Sequence, residues 1–129
     1  MAKGTGDSYS ATIPAQANGT FVRYYVTATD DSMNTTALPN SNPTTGSYGY
    51  RVRDNGLTIY DVQYTPFPNG NSIFLGNEVT VTGVVTSSGA EGDLAIIHIQ
   101  EENAIAGWSG IELQNARTTF ARGEKLTVT

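Results

Sequence analysis

The sequence contains no cysteine, one histidine and one tryptophan in 129 residues, and only 15% of its residues carry charge. The missing thiol excludes disulfide staples, zinc–thiolate sites and cysteine nucleophiles. No apolar run approaches the roughly 18 residues that a membrane-crossing helix needs, so no membrane span is expected. Met1 to Asp7 has neither the basic cluster nor the apolar stretch of a signal peptide. Also missing are a Gly-x-Ser-x-Gly elbow, a phosphate-binding Walker loop and a dinucleotide fingerprint. What is abundant is turn chemistry. Fourteen Gly, five Pro and many Ser, Thr and Asn imply frequent reversals of the chain, and therefore many short strands.

The formal charge of -5 is unevenly placed. Residues 1–56 are neutral, whereas residues 57–129 hold eight acids against Arg117, Arg122 and Lys125. Binding a polyanion draws its affinity from neutralising phosphates, which needs a basic excess. The second half has the opposite balance, so strong stand-alone binding to nucleic acid is disfavoured.

The periodicity predicts an all-β chain with no helix. In the first half, Tyr9, Ala11 and Ile13 alternate with polar residues up to Pro14. Phe21 to Thr29 then alternates over nine residues rich in β-branched and aromatic types. Asp30 to Thr36 reads as a polar turn, Leu38 to Ser47 as a loop, and Tyr48 to Arg53 as a third strand. A boundary is expected at Asp54-Asn55-Gly56. Beyond it, Leu57 to Tyr64 reads as a short strand or extended lead-in, and Glu78 to Thr86 as a strand whose Gly83 marks a bulge or bend. Leu94 to Gln100 is apolar on both faces and so expected to be central. Trp108 to Leu113 and Leu126 to Val128 complete the set.

Two resemblances follow from these runs. Tyr9 to Ala15, Gly19 to Asp30 and Tyr48 to Val52 together resemble the last three strands of an immunoglobulin-like or fibronectin-type sandwich, which implies a tyrosine corner at Tyr24. Met33 departs from that pattern by standing where such turns usually place Gly. The earlier strands of a sandwich are absent. The runs Glu78-Val79-Thr80-Val81-Thr82-Gly83-Val84-Val85-Thr86 and Trp108-Ser109-Gly110-Ile111 resemble an OB-fold module found beside the catalytic domains of secreted, sugar-nonspecific bacterial nucleases. Residues 1–54 are thus expected to form a partial sandwich, and 57–129 an OB-type barrel lacking its last strand. The resemblance implies a secreted or cell-surface, non-catalytic accessory module, with a structural spacer or a carbohydrate-binding module as the alternatives.

Candidate site residues are few. OB folds stack bases or sugars on aromatic side chains, which singles out Trp108 with Tyr64, Phe67 and Phe74 as a platform, and Arg117 and Arg122 as phosphate contacts. Trp108 is equally readable as a cap on the barrel core. The expected ligand is single-stranded nucleic acid or a glycan, weakly held. His98 has no partner at metal-ligand spacing and reads as a half-exposed strand residue. Asp30-Asp31 and Glu101-Glu102 read as solvated turns, with Asp31 to Asn34 the nearest thing to a weak calcium site. No cofactor and no metal is expected. Incomplete parts expose apolar faces and strand edges, so the halves are expected to pack on each other or chains to pair as a homodimer.

Overall fold

Every strand expected from period-two alternation needs a partner for its backbone, and the partners found determine where each run ends. The computed structural model describes residues 1–39, 46–87, 96–104, 107–115 and 120–129. The chain is all-β; the described residues hold one short helix, and their strand pairs are all antiparallel. None of its described helical segments is long and apolar enough to cross a membrane.

The first half consists of two-stranded ribbons. Strand β1 (Ala2–Lys3) pairs with β2 (Tyr9–Ser10), so the alternation expected up to Ile13 ends early. The expected nine-residue strand is divided at Tyr25. Its first part, β3 (Phe21–Tyr24), pairs with β6 (Tyr48–Arg51), and its second, β4 (Val26–Thr29), pairs with β5 (Thr35–Leu38). The break is a change of partner, because β5 claims residues that read as turn and loop. Tyr24 stacks on Tyr48 across the ladder, centroids 5.3 Å apart, with Tyr50 edge-on at 6.4 Å. No described residue of the first 54 is buried.

The β4–β5 turn is closed by Asp30, whose Oδ1 accepts the Ser32 and Asn34 N–H groups while Oδ2 accepts the Asn34 side-chain amide. The Asn34 amide, together with the Asn34 and Ser32 backbone N–H groups, holds the Asp30 carboxyl below the usual range. Both carboxylate oxygens are therefore committed within the turn. Met33 sits at φ +67°, the left-handed region where a Cβ is penalised.

The second half carries the core. Strand β7 (Val81–Ser87) lies between β10 (Lys125–Val128) and β8 (Ile96–Gln100), and β8 is flanked on its other side by β9 (Gly110–Gln114). The order β10-β7-β8-β9 is a Greek key: three consecutive strands, and a fourth that returns beside the first. Among the described residues the sheet does not close on itself, and none of them pairs with the outer side of β9 or β10. Val81, Val85, Ile97 and Ile99 point to one face and are buried there with Ile59. Leu57, Val62, Ile111, Leu113, Phe120, Leu126 and Val128 surround them.

Residues 57–64 depart most from expectation. They form helix α1 (Ile59–Gln63), preceded by Thr58 as N-cap. The Asp61 N–H donates to Thr58 Oγ1 at 3.2 Å, and the Thr58 N–H donates to Asp61 Oδ2 at 3.0 Å. This reciprocal capping box satisfies donors that a one-turn helix otherwise leaves open. Glu101 accepts the Tyr60 N–H at 2.6 Å and satisfies another.

The helix also explains Gly83, which is not a bulge: its pairing with Leu126 is regular, and the register shift falls between Val85 and Ser87. A Cβ at Gly83 would stand 2.8 Å from Ile59 Cδ1 and 3.0 Å from the Gln100 carbonyl oxygen. Gly83 is the gap into which the helix sets Ile59.

Gly83→Ala is accordingly expected to destabilise the protein by about 1–3 kcal/mol, measured as a lower urea midpoint. Gly107→Ala, where a Cβ meets nothing within 4 Å, should leave the midpoint within a few tenths of that scale. In the β4–β5 hairpin, Met33→Gly relieves about 1 kcal/mol of backbone strain. It should slow hydrogen exchange roughly fivefold at the Asp30 amide, which donates to the Asn34 carbonyl across the turn.

Candidate functional site

Asp61 is 1% exposed, and its carboxylate is the meeting point of both halves. Arg53, just after β6, donates from Nε to Oδ2 and from Nη2 to Oδ1, each at 2.6 Å. This two-pronged geometry is the strong form of an arginine–carboxylate contact. Arg51 Nε stands 3.1 Å from Oδ1 as an ion pair, yet its N–H is not aimed at the oxygen and makes no hydrogen bond. Burial pushes the Asp61 carboxyl up. The hydrogen bonds from Arg53 and Thr58 and the Arg53 charge outweigh that, leaving it below the usual range.

Around Arg51 the rings of Phe21, Tyr64 and Tyr60 form a cage, with guanidinium-to-centroid distances of 4.9, 5.7 and 5.9 Å. Tyr60 and Tyr64 are stacked at 5.3 Å, and Phe21 meets Tyr64 edge-on at 6.5 Å. Arg23 lies over Phe67 at 4.9 Å. Two of the expected platform residues, Tyr64 and Phe67, therefore hold arginines of the first half. They act as the joint between halves and are only half-exposed. Phe74 is also half-buried, its N–H donating to Ser72 Oγ at 3.1 Å.

Trp108 stands apart from them. It lies in the connection from β8 to β9, which is closed by the Glu101 N–H donating to the Ser109 carbonyl at 2.9 Å. Ser109 is buried, and Gln63 of α1 donates to the Gly110 carbonyl at 3.0 Å. On this pinned base Trp108 is 55% exposed and adopts φ +69°. Among the described residues it makes no aromatic or cation–π contact. The side chain thus faces solvent rather than capping the core. A bulky residue in left-handed backbone costs about 1–3 kcal/mol, and strain of that kind is retained where the surroundings hold it in place. Arg122 is exposed in the turn before β10, while Arg117 lies outside the described residues.

His98 has partners that no spacing rule revealed. Ser87 Oγ is 2.7 Å from its Nδ1, and Glu112 Oε2 is 3.6 Å from its Nε2. The three residues come from β7, β8 and β9. The β7 irregularity brings Ser87, rather than Thr86, opposite His98, which is the way a bulge re-aims a side chain. His98 remains half-exposed, as its strand position implies. Glu101 and Glu102 diverge: the first meets the Tyr60 N–H, and the second pairs with Lys125 at 2.8 Å. Among the described residues, no three His, Asp or Glu side chains form a metal-ligating group.

Asp61→Asn removes the charge that neutralises Arg53 and should cost about 3 kcal/mol, read from urea denaturation near neutral pH. Because the folded-state carboxyl is depressed, its contribution is fully present above the unfolded value of about 3.9 and disappears as pH falls through the lower folded value. The stability difference between wild type and Asp61→Asn should therefore be flat at neutral pH and shrink below about pH 4. Comparison of the chain with protein-family models, with curated proteins and with solved structures gives no match.

Proposed function

We propose that the chain is a non-catalytic accessory module of a larger secreted bacterial protein. In this reading the second half is an OB-type barrel lacking one strand, and it presents single-stranded nucleic acid to a separate nuclease or phosphodiesterase domain. The observation that carries the reading is Trp108: a lone exposed indole, held in left-handed backbone by a connection pinned at both ends. A flat ring offered in this way suits an unstacked base, and base–aromatic stacking is worth about 1–3 kcal/mol per base. The Greek-key order of the sheet supports the barrel assignment, since OB folds are Greek-key barrels. The acidic balance of residues 57–129 sets the strength: with few cations to neutralise phosphates, stacking supplies most of the affinity and binding is weak.

The same geometry separates stability from binding. Anisotropy of a labelled oligothymidylate should report weak binding by the wild-type chain that Trp108→Gly abolishes. Trp108→Gly should at the same time raise thermal stability, by about 1 kcal/mol, because Gly accepts the left-handed conformation without strain. Binding that survives Trp108→Gly would refute the platform. An oligonucleotide-inert wild type would leave the spacer reading in its place.

A further inference from the structure

A second surface, remote in character from Trp108, lies where the first half meets the segment 65–77. It is an open cleft of about 440 Å³ whose described lining residues are uncharged, with Arg23 beside it in contact with Ser47 and Phe67. By contrast, the cleft beside the start of α1 is lined by Arg53, Glu101, Glu102 and Lys125. One wall of the neutral cleft carries the stacked rings of Tyr24 and Tyr48, 39% and 42% exposed. The opposite wall carries Phe67 and the exposed amides of Asn69, Asn71 and Asn77.

The walls are fixed before any ligand arrives. Arg23 spans them, donating to Ser47 Oγ at 3.1 Å on the tyrosine side while lying over Phe67 on the other. The floor is close-packed: a Cβ at Gly49 would stand 3.3 Å from Phe21 Cζ and 3.5 Å from Ile73 Cγ2. Asn69 Oδ1 accepts the Asn71 N–H at 3.0 Å and shapes the rim.

From this geometry we infer that the cleft binds a neutral glycan. Aromatic faces pack against the C–H face of a pyranose ring. Carboxamides offer both donors and acceptors, matching hydroxyl groups that do both. A pocket of aromatic side chains with a few placed polar groups, already formed, is the usual form of a small-ligand site. Arg23, the cation at this cleft among the described residues, is already engaged by Ser47 and Phe67, so the site lacks the basic excess from which a polyanion such as nucleic acid draws its affinity. The inference does not depend on the role proposed for Trp108.

The test uses the full chain and three neutral hexasaccharides, of β-linked glucose, xylose and N-acetylglucosamine, followed by heteronuclear NMR and calorimetry. At least one should bind, with shifts centred on Tyr24, Tyr48 and Asn71. Affinity should change less than about twofold between roughly 50 and 500 mM salt, unlike a polyanion contact. Tyr24→Ala and the exposed-site variant Asn71→Ala should each weaken it by roughly tenfold or more, whereas Trp108→Gly should leave it unchanged. Asn71→Ala removes a solvent-exposed side chain, so its effect is readable even if Tyr24→Ala perturbs the ribbon. Failure of all three sugars to bind at millimolar concentration would overturn the inference. So would loss of binding in Trp108→Gly alone, or shifts at this cleft produced only by a proline-rich peptide, which aromatic grooves also accept.

Discussion

The arrangement of the whole chain depends on one buried carboxylate. Asp61 closes the capping box of α1 and receives the two-pronged contact from Arg53. Removing an ion pair of this kind in one piece is often harmless, but removing one partner leaves an unsatisfied charge. The surroundings make Asp61 hard to replace. Its backbone position is set by the helix, and the helix position is set by Ile59 entering the space that Gly83 leaves open. Arg51 is steadied by three rings before it reaches the carboxylate.

Much of the architecture was legible because it rests on local alternation. Ile97 and Ile99 bury one face of β8 and His98 exposes the other, as a period of two requires. Strand β8 is an inner strand of its sheet, as expected, but of the expected run Leu94 and Ala95 lie outside the described residues, and on the second face His98 and Gln100 are exposed. The helix was not read from the same rules, because five residues are too few to show a 3.6-residue period. Its signal was the pair Thr58 and Asp61, three apart, a capping-box spacing hidden within an apparently extended segment. Gly83 was misread for a related reason. A glycine in a strand signals close approach as well as a bulge, and only the position of Ile59 decides between them.

The candidate site shows the same division. Exposure of Trp108 could not be read from its neighbours, since a Trp beside Gly and Ile serves equally as core cap or as display. Tyr64 and Phe67 were singled out as part of a ligand-stacking platform, but their rings meet arginines of the same chain. The partners are Arg51 and Arg23, from the far side of the domain boundary, rather than cations of the second half. Sequence distance concealed the contact. The row Ser87, His98 and Glu112 was likewise invisible, because it depends on cross-strand register and on one irregularity in β7.

The lack of any buried residue among the described part of residues 1–54 has a thermodynamic meaning. A segment without a core has little reason to melt as a unit of its own. The β3–β6 ribbon meets the Greek-key half through the arginines and rings at the joint, and the link Asp54-Asn55-Gly56 keeps the two near each other. A tether this short raises the effective concentration of the ribbon to the millimolar range. Weak contacts therefore suffice to keep it docked. Docking of the β3–β6 ribbon thus rests on a handful of side chains, Arg53 on Asp61 and Arg51 and Arg23 on their rings.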